Sequence, residues 1–130
     1  MSSDEIDLER VLCRVAELEA TGCREFRLGG GDWPLKGFVV NACGGVHAYI
    51  NRCPHQALSL NLLPDRFLSA DSSVIVCCMH GAIFEKSTGL CIAGPCAGRA
   101  LAAVAVEVMA GLVMLAEGTD AAALLARFAP

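Results

Sequence analysis

The chain has 130 residues, the size of one domain with a core of its own. Hydrophobic residues make up 55% of it and charged residues 18%, a balance that excludes a disordered or low-complexity chain. The net charge is −4, the basic residues are scattered singly and aromatics are few, so neither a nucleic-acid surface nor a polybasic membrane motif is expected.

The N-terminus, Met1-Ser2-Ser3-Asp4-Glu5, is acidic and lacks the basic-then-apolar layout of a signal peptide. Residues 2–20 read as an amphipathic helix. Ser2 with Glu5 has the form of a capping box, Leu8, Val11, Leu12, Val15 and Leu18 make one apolar stripe, and Gly22 is the stop. From Cys23 the pattern turns to short extended segments. Residues 23–28 alternate, and Gly29-Gly30-Gly31-Asp32 breaks them without a phosphate-binding fingerprint. Residues 37–43 and 46–52 are apolar runs joined by Gly44-Gly45, a hairpin signal, and the second run leads directly to Cys53.

Val74-Ile75-Val76 is a short β-branched strand that again ends on a cysteine, and residues 82–85 look like its return. Residues 91–98 form a Gly/Pro-rich loop. Residues 101–108 alternate, Met109-Ala110-Gly111 turns the chain into residues 112–116, and Thr119 or Asp120 caps a short last helix. The run 100–116 contains Glu107 and Gly111 and alternates, so it is rejected as a membrane span. The expected organisation is an N-terminal amphipathic helix over 1–22, a mostly β domain over 23–118 and a C-terminal helix over 119–130. A cytoplasmic chain with no membrane partner is expected, and there eight cysteines point to metal ligation and buried thiols rather than a disulfide framework.

The chemistry concentrates in two places, Cys53-Pro54-His55 and Cys77-Cys78-Met79-His80-Gly81. Each offers a thiolate and an imidazole just after a predicted strand, where rigid backbone can aim both. Mixed thiolate and imidazole donors suit zinc or an iron–sulfur cluster, and Cys-x-His is short for a zinc knuckle. In Rieske centres two histidines replace two cysteines on one iron of a [2Fe–2S] cluster.

In these motifs the chain resembles the Rieske iron–sulfur family, whose pattern is Cys-x-His followed by Cys-x-x-His-Gly. The resemblance extends through Ala82-Ile83-Phe84, Thr88-Gly89 and Gly94-Pro95 and covers about residues 38–115. It implies an antiparallel β-sandwich with a two-loop cluster-binding subdomain, and a [2Fe–2S] cofactor. Cys53 and Cys77 would hold the inner iron, and His55 and His80 the outer, solvent-facing one. Pro54, Leu58, Met79 and Pro95 would form an apolar collar and docking face around the cluster, and Gly81 would close the second loop. The gap from His55 to Cys77 is longer than the family's common spacing. The excess is assigned to an excursion over 63–71, with Pro64 and Asp65 at its turn. Cys78 is the rival ligand to Cys77, which alone keeps the two-residue spacing to His80.

High-potential members of the family carry a disulfide between the two loops, and hydroxyls from a Ser and a Tyr that hydrogen-bond to sulfur. This chain has Leu58 and Met79 at the bridge positions, and Ala82 and Phe84 at the hydroxyl positions. Without those donors the potential should lie near about −150 mV rather than about +300 mV. The resemblance therefore implies a low-potential Rieske ferredoxin, an electron carrier and not an enzyme, passing single electrons from a reductase to an oxygenase-type acceptor. A small subunit of a larger oxidoreductase is the alternative, and a structural zinc module is the alternative from another class. A Rieske oxygenase is excluded, because its mononuclear iron needs two further histidines and only His47 is left. Cys13 and Cys23 read as packing or surface thiols, and Cys91 and Cys96 as thiols flanking the Gly-Pro loop, able to form a redox-sensitive pair.

Overall fold

The computed structural model describes residues 10–28, 35–42, 45–52, 60, 67–69, 73–77, 81–116, 119 and 123. Among the described residues the elements run in the order β1 (Val11–Arg14), α1 (Val15–Thr21), β2 (Cys23–Leu28), β3 (Leu35–Ala42), β4 (Gly45–Ile50), β5 (Ile75–Val76), β6 (Ile83–Phe84), β7 (Cys91–Ala93), β8 (Ala103–Val104), β9 (Val106–Met109) and β10 (Leu112–Leu115). They form three antiparallel sheets, with strand orders β1-β10-β9, β2-β3-β4-β8 and β5-β6-β7.

The period of two in a strand makes the second sheet the middle layer. On β3 and β4, Phe38, Val40 and Tyr49 enter one core, while Val39, Ala48 and Ile50 enter the other. The first core lies against the small β5-β6-β7 sheet, where Ile75, Cys77, Phe84 and Cys91 join it. The second lies against β1, β10 and α1, with Cys13, Leu18, Val113 and Leu115. Both β3 and β4 are therefore apolar on both faces, as strands sandwiched between two layers must be.

The expected β3–β4 hairpin forms, with Asn41 opposite Val46 and Gly37 opposite Ile50. The expected β9–β10 hairpin also forms. Its turn is Ala110-Gly111, with φ of 53° and 77°, the two-positive pattern whose twist matches the strands it joins.

The helix expected over 2–20 is corrected in its described part. Residues 11–14 are strand β1, paired with β10, and only Val15–Thr21 is helical. Val11, Leu12 and Val15 fit a helical stripe, but Cys13 buried beside an exposed Arg14 fits a strand edge equally well. The free β10 edge decides between them, and Arg10 seals the join by donating to the Leu115 carbonyl at 2.7 Å and pairing with Glu107 at 2.9 Å. The cap of the shorter helix comes from Glu17, whose carboxylate accepts the Arg14 N–H at 2.9 Å, and Gly22 ends the helix as expected. Ser2 and Glu5 lie outside the described residues, as does the helix expected over 119–130 apart from Thr119 and Ala123.

No helix among the described residues is long and apolar enough to cross a membrane.

Candidate metal centre

The two candidate ligand stretches leave the ends of β4 and β5, and the structure describes the base of each. At the first, Asn51 follows β4 and is the one buried polar side chain among the described residues. Its N–H donates to the Lys36 carbonyl at 2.9 Å, and its Oδ1 accepts the Leu60 N–H at 2.8 Å. The chain leaving β4 and the chain returning at Leu60 are thus tied together, with Cys53, Pro54, His55 and Leu58 between them. Those four lie outside the described residues.

At the second base, Cys77 follows β5 and is 1% exposed. Its N–H donates to the Ala82 carbonyl and its carbonyl accepts the Gly81 N–H, both at 2.9 Å. Cys77 and Gly81 are locked together across positions 78–80. Gly81 has φ +69° with open space where a Cβ would stand, so it is required there for backbone conformation and not for room. Cys78, Met79 and His80 lie outside the described residues. Of the four expected ligands Cys77 is the one described, and no set of three metal-binding side chains gathers elsewhere among the described residues.

The third loop leans on the second. A Cβ at Gly94 would stand 2.8 Å from the Ala82 Cα, and Gly94 has φ +99°, so glycine alone allows this approach. Pro95 is exposed beside it. Ala82 and Phe84, which stand where high-potential relatives carry hydroxyls, are fully buried and present only carbon.

Part of the chain between His55 and Cys77 is described. Phe67 is buried and stacks on Phe38, with centroids 4.3 Å apart and planes 12° from parallel. Leu68 bridges to Ile75, Ser69 N–H donates to the Val74 carbonyl, and Val76 N–H donates to the Phe67 carbonyl. Residues 67–69 therefore lie antiparallel to residues 74–76. The turn expected at Pro64 and Asp65 lies outside the described residues.

In the same core Tyr49 packs on Phe38 with the rings tilted by 46° and donates its hydroxyl to the Lys86 carbonyl at 2.8 Å. Burial and the nearby Glu85 carboxylate push the phenol up to about 12. Asn51 went unnoticed in the sequence. A polar residue closing an apolar strand two residues before a Cys-x-His run is the local signal at its position.

The model of the Rieske [2Fe-2S] domain matches residues 9–112. The chain belongs to the Rieske [2Fe-2S] domain family. No curated protein sequence matches it. Among solved structures, a chain from a complex of reduced oxygenase and oxidised ferredoxin in carbazole 1,9a-dioxygenase is similar, with a TM-score of 0.64 and 24% identity over 85% of this chain and 94% of that one. The Sphingomonas yanoikuyae B1 ferredoxin gives 0.60 and 24% over 82% and 96%. The terminal oxygenase of carbazole 1,9a-dioxygenase from Novosphingobium sp. KA1 gives 0.66 and 24%, but there the Rieske-like part is 30% of the chain. At these identities the likeness is one of fold.

The Rieske cofactor is a [2Fe–2S] cluster, and the residues present fit it. Among the described residues Cys77 offers a buried thiol at a strand end, and two backbone hydrogen bonds hold its main chain. A glycine-only contact brings the proline loop against that same turn.

Proposed function

We propose that this Rieske domain is a soluble, cytoplasmic, low-potential ferredoxin that carries single electrons from a reductase to an oxygenase-type acceptor. The observation that carries the reading is the locked turn at Cys77, with Gly81 closing it and Gly94 seated on Ala82. Cys53 and Cys77 are the thiolate ligands, and His55 and His80 the imidazole ligands. The cluster supplies one-electron transfer when bound. Cys77 over Cys78 is supported by its position at the end of β5 and its two backbone hydrogen bonds.

The chain's own residues do the rest. Asn51 holds the first loop at its base, Gly81 gives the second its left-handed closing turn, and Gly94 allows the third its close approach to Ala82. Pro54, Leu58, Met79 and the exposed Pro95 form the apolar rim that excludes water and meets the partner. The ferredoxin–oxygenase complex among the similar structures supports an oxygenase-type acceptor. Ala82 and Phe84 give no hydroxyl to sulfur, so added negative charge is less stabilised and the potential lies near about −150 mV.

The test is an anaerobic preparation, reduced and examined by electron paramagnetic resonance, with metal and acid-labile sulfide analysis and a potentiometric titration. A Rieske spectrum with a lower average g than an all-cysteine cluster is expected. Zinc without sulfide would end the cluster assignment, and a potential well above zero at neutral pH would end the low-potential one.

A further inference from the structure

Cys91 opens β7 and Cys96 follows Gly94-Pro95, and their sulfurs lie 3.2 Å apart in the core. Within residues 92–100 Cys96 is the one buried side chain; its neighbours Gly94, Pro95, Ala97 and Gly98 are all exposed. The Cys96 thiol donates to the Cys91 sulfur, and the Cys91 thiol donates to the Ala93 carbonyl at 3.2 Å. Two thiols thus pin an exposed loop to the strand that precedes it. None of the described cysteines is in a disulfide.

We infer that Cys91 and Cys96 are a dithiol–disulfide site that exchanges with small disulfides of the glutathione class. A disulfide places its sulfurs about 2.05 Å apart, so closing the pair requires only about 1.2 Å of sulfur movement from the observed contact. The backbone of the loop is already folded back on β7, with Gly98 N–H on the Cys91 carbonyl and Arg99 N–H on the Cys96 carbonyl. The first sulfur reached is that of Cys96, because opening the exposed loop uncovers it without parting the β5-β6-β7 sheet. As a thiolate it attacks one sulfur of the oxidised reagent, giving a mixed disulfide and one small thiolate. The Cys91 thiolate then attacks the Cys96 sulfur of that mixed disulfide and expels the second small thiolate. The two cysteine protons end on the two released thiols. The pair is oxidised by two electrons and the reagent reduced by two. The result is a covalent tie across the loop whose Gly94 rests on Ala82. This inference concerns the two cysteines alone and does not depend on the metal ligands.

The chain offers a clean readout, because Lys86 and Arg99 bracket a tryptic peptide, residues 87–99, that contains Cys91 and Cys96 and no other cysteine. The protein as isolated is equilibrated across ratios of reduced to oxidised glutathione, quenched in acid, alkylated and digested. Peptide 87–99 is expected to pass in one transition from doubly alkylated to unalkylated and two hydrogens lighter, while the β-sheet circular dichroism stays unchanged. In Cys96→Ser the internal bridge is lost and Cys91 is recovered alkylated or carrying glutathione. The inference is overturned if the wild-type peptide stays doubly alkylated at every ratio. It is equally overturned if glutathione adducts persist without a bridge, or if the bridge forms only after the sheet signal has gone.

Discussion

The core between the middle sheet and β1-β10 is filled by Leu18, Leu28, Leu35, Val39, Ile50, Val113 and Leu115, with Cys13 as its one cysteine. The core on the other face stacks Phe38 on Phe67 and gathers Cys23, Cys77, Cys91 and Cys96. The strands differ in the same direction. The middle sheet has strands of six to eight residues from β2 to β4, whereas β5 and β6 have two each and β7 three. Strands of two residues form few ladder bonds of their own, so that layer is held by aromatic packing, loop-base hydrogen bonds and whatever its thiols bind. One face of the middle sheet is a frame, and the other is a mount.

Substitutions should separate the two. Cys77→Ala should strip the mount and leave the frame. Iron content should fall by more than the roughly 10–100-fold that losing an outer partner of a metal site costs, while the amide exchange protection of β3 and β4 persists. Loss of protection in both strands would show that the frame does not stand alone. Phe38→Ala should cost about 3–5 kcal/mol and lower cluster retention, because it removes the ring against Phe67. Leu18→Ala, on the opposite face, should cost about 2–5 kcal/mol and leave iron content per folded molecule unchanged. Thermal melts paired with iron assays read both.

Asn51→Ala should cost about 1–3 kcal/mol by leaving the buried Leu60 N–H without its acceptor. Its distinguishing sign is faster cluster loss to a chelator at temperatures where the fold is intact. The smallest effect is at Tyr49, the one tyrosine of the chain. Its phenol is raised above its ordinary 10 to about 12, so its contribution to stability is full below pH about 10 and lost as pH climbs toward about 12. The tyrosinate absorbance of the native protein should therefore titrate near 12, and Tyr49→Phe should abolish the step. A midpoint at 10 would mean that the hydroxyl is not held as described.

The strands around the site were legible because the hairpin glycines, the alternation in β2, the apolar runs of β3 and β4 and the β-branched run at Ile75 are local signals. The family was legible because the spacing of the motif cysteines and histidines is itself chemical, and of the four expected ligands Cys77 is the one described. Residues 11–14 misread as helix because their apolar spacing fits both periods, and the choice lay with a β10 edge a hundred residues away. Residues 101–108 read as one alternating run but serve two sheets, β8 beside β4 and β9 beside β10, parted at Ala105. Asn51 was invisible for the same reason as β1: its partner, Leu60, is defined by the fold and not by proximity in sequence. The closeness of Cys91 and Cys96, in contrast, was visible as two cysteines flanking a Gly-Pro turn.

The clamp between Asn51 and Leu60 and the clamp between Cys77 and Gly81 make each candidate ligand stretch a cassette with fixed ends. Between the cassettes Phe67 and Leu68 are packed, so added length belongs between Ser69 and Val74, where doubling a loop adds only about 0.6 kcal/mol of closure entropy. A peptide tag or a fluorophore-bearing insert placed there would leave both cassettes anchored.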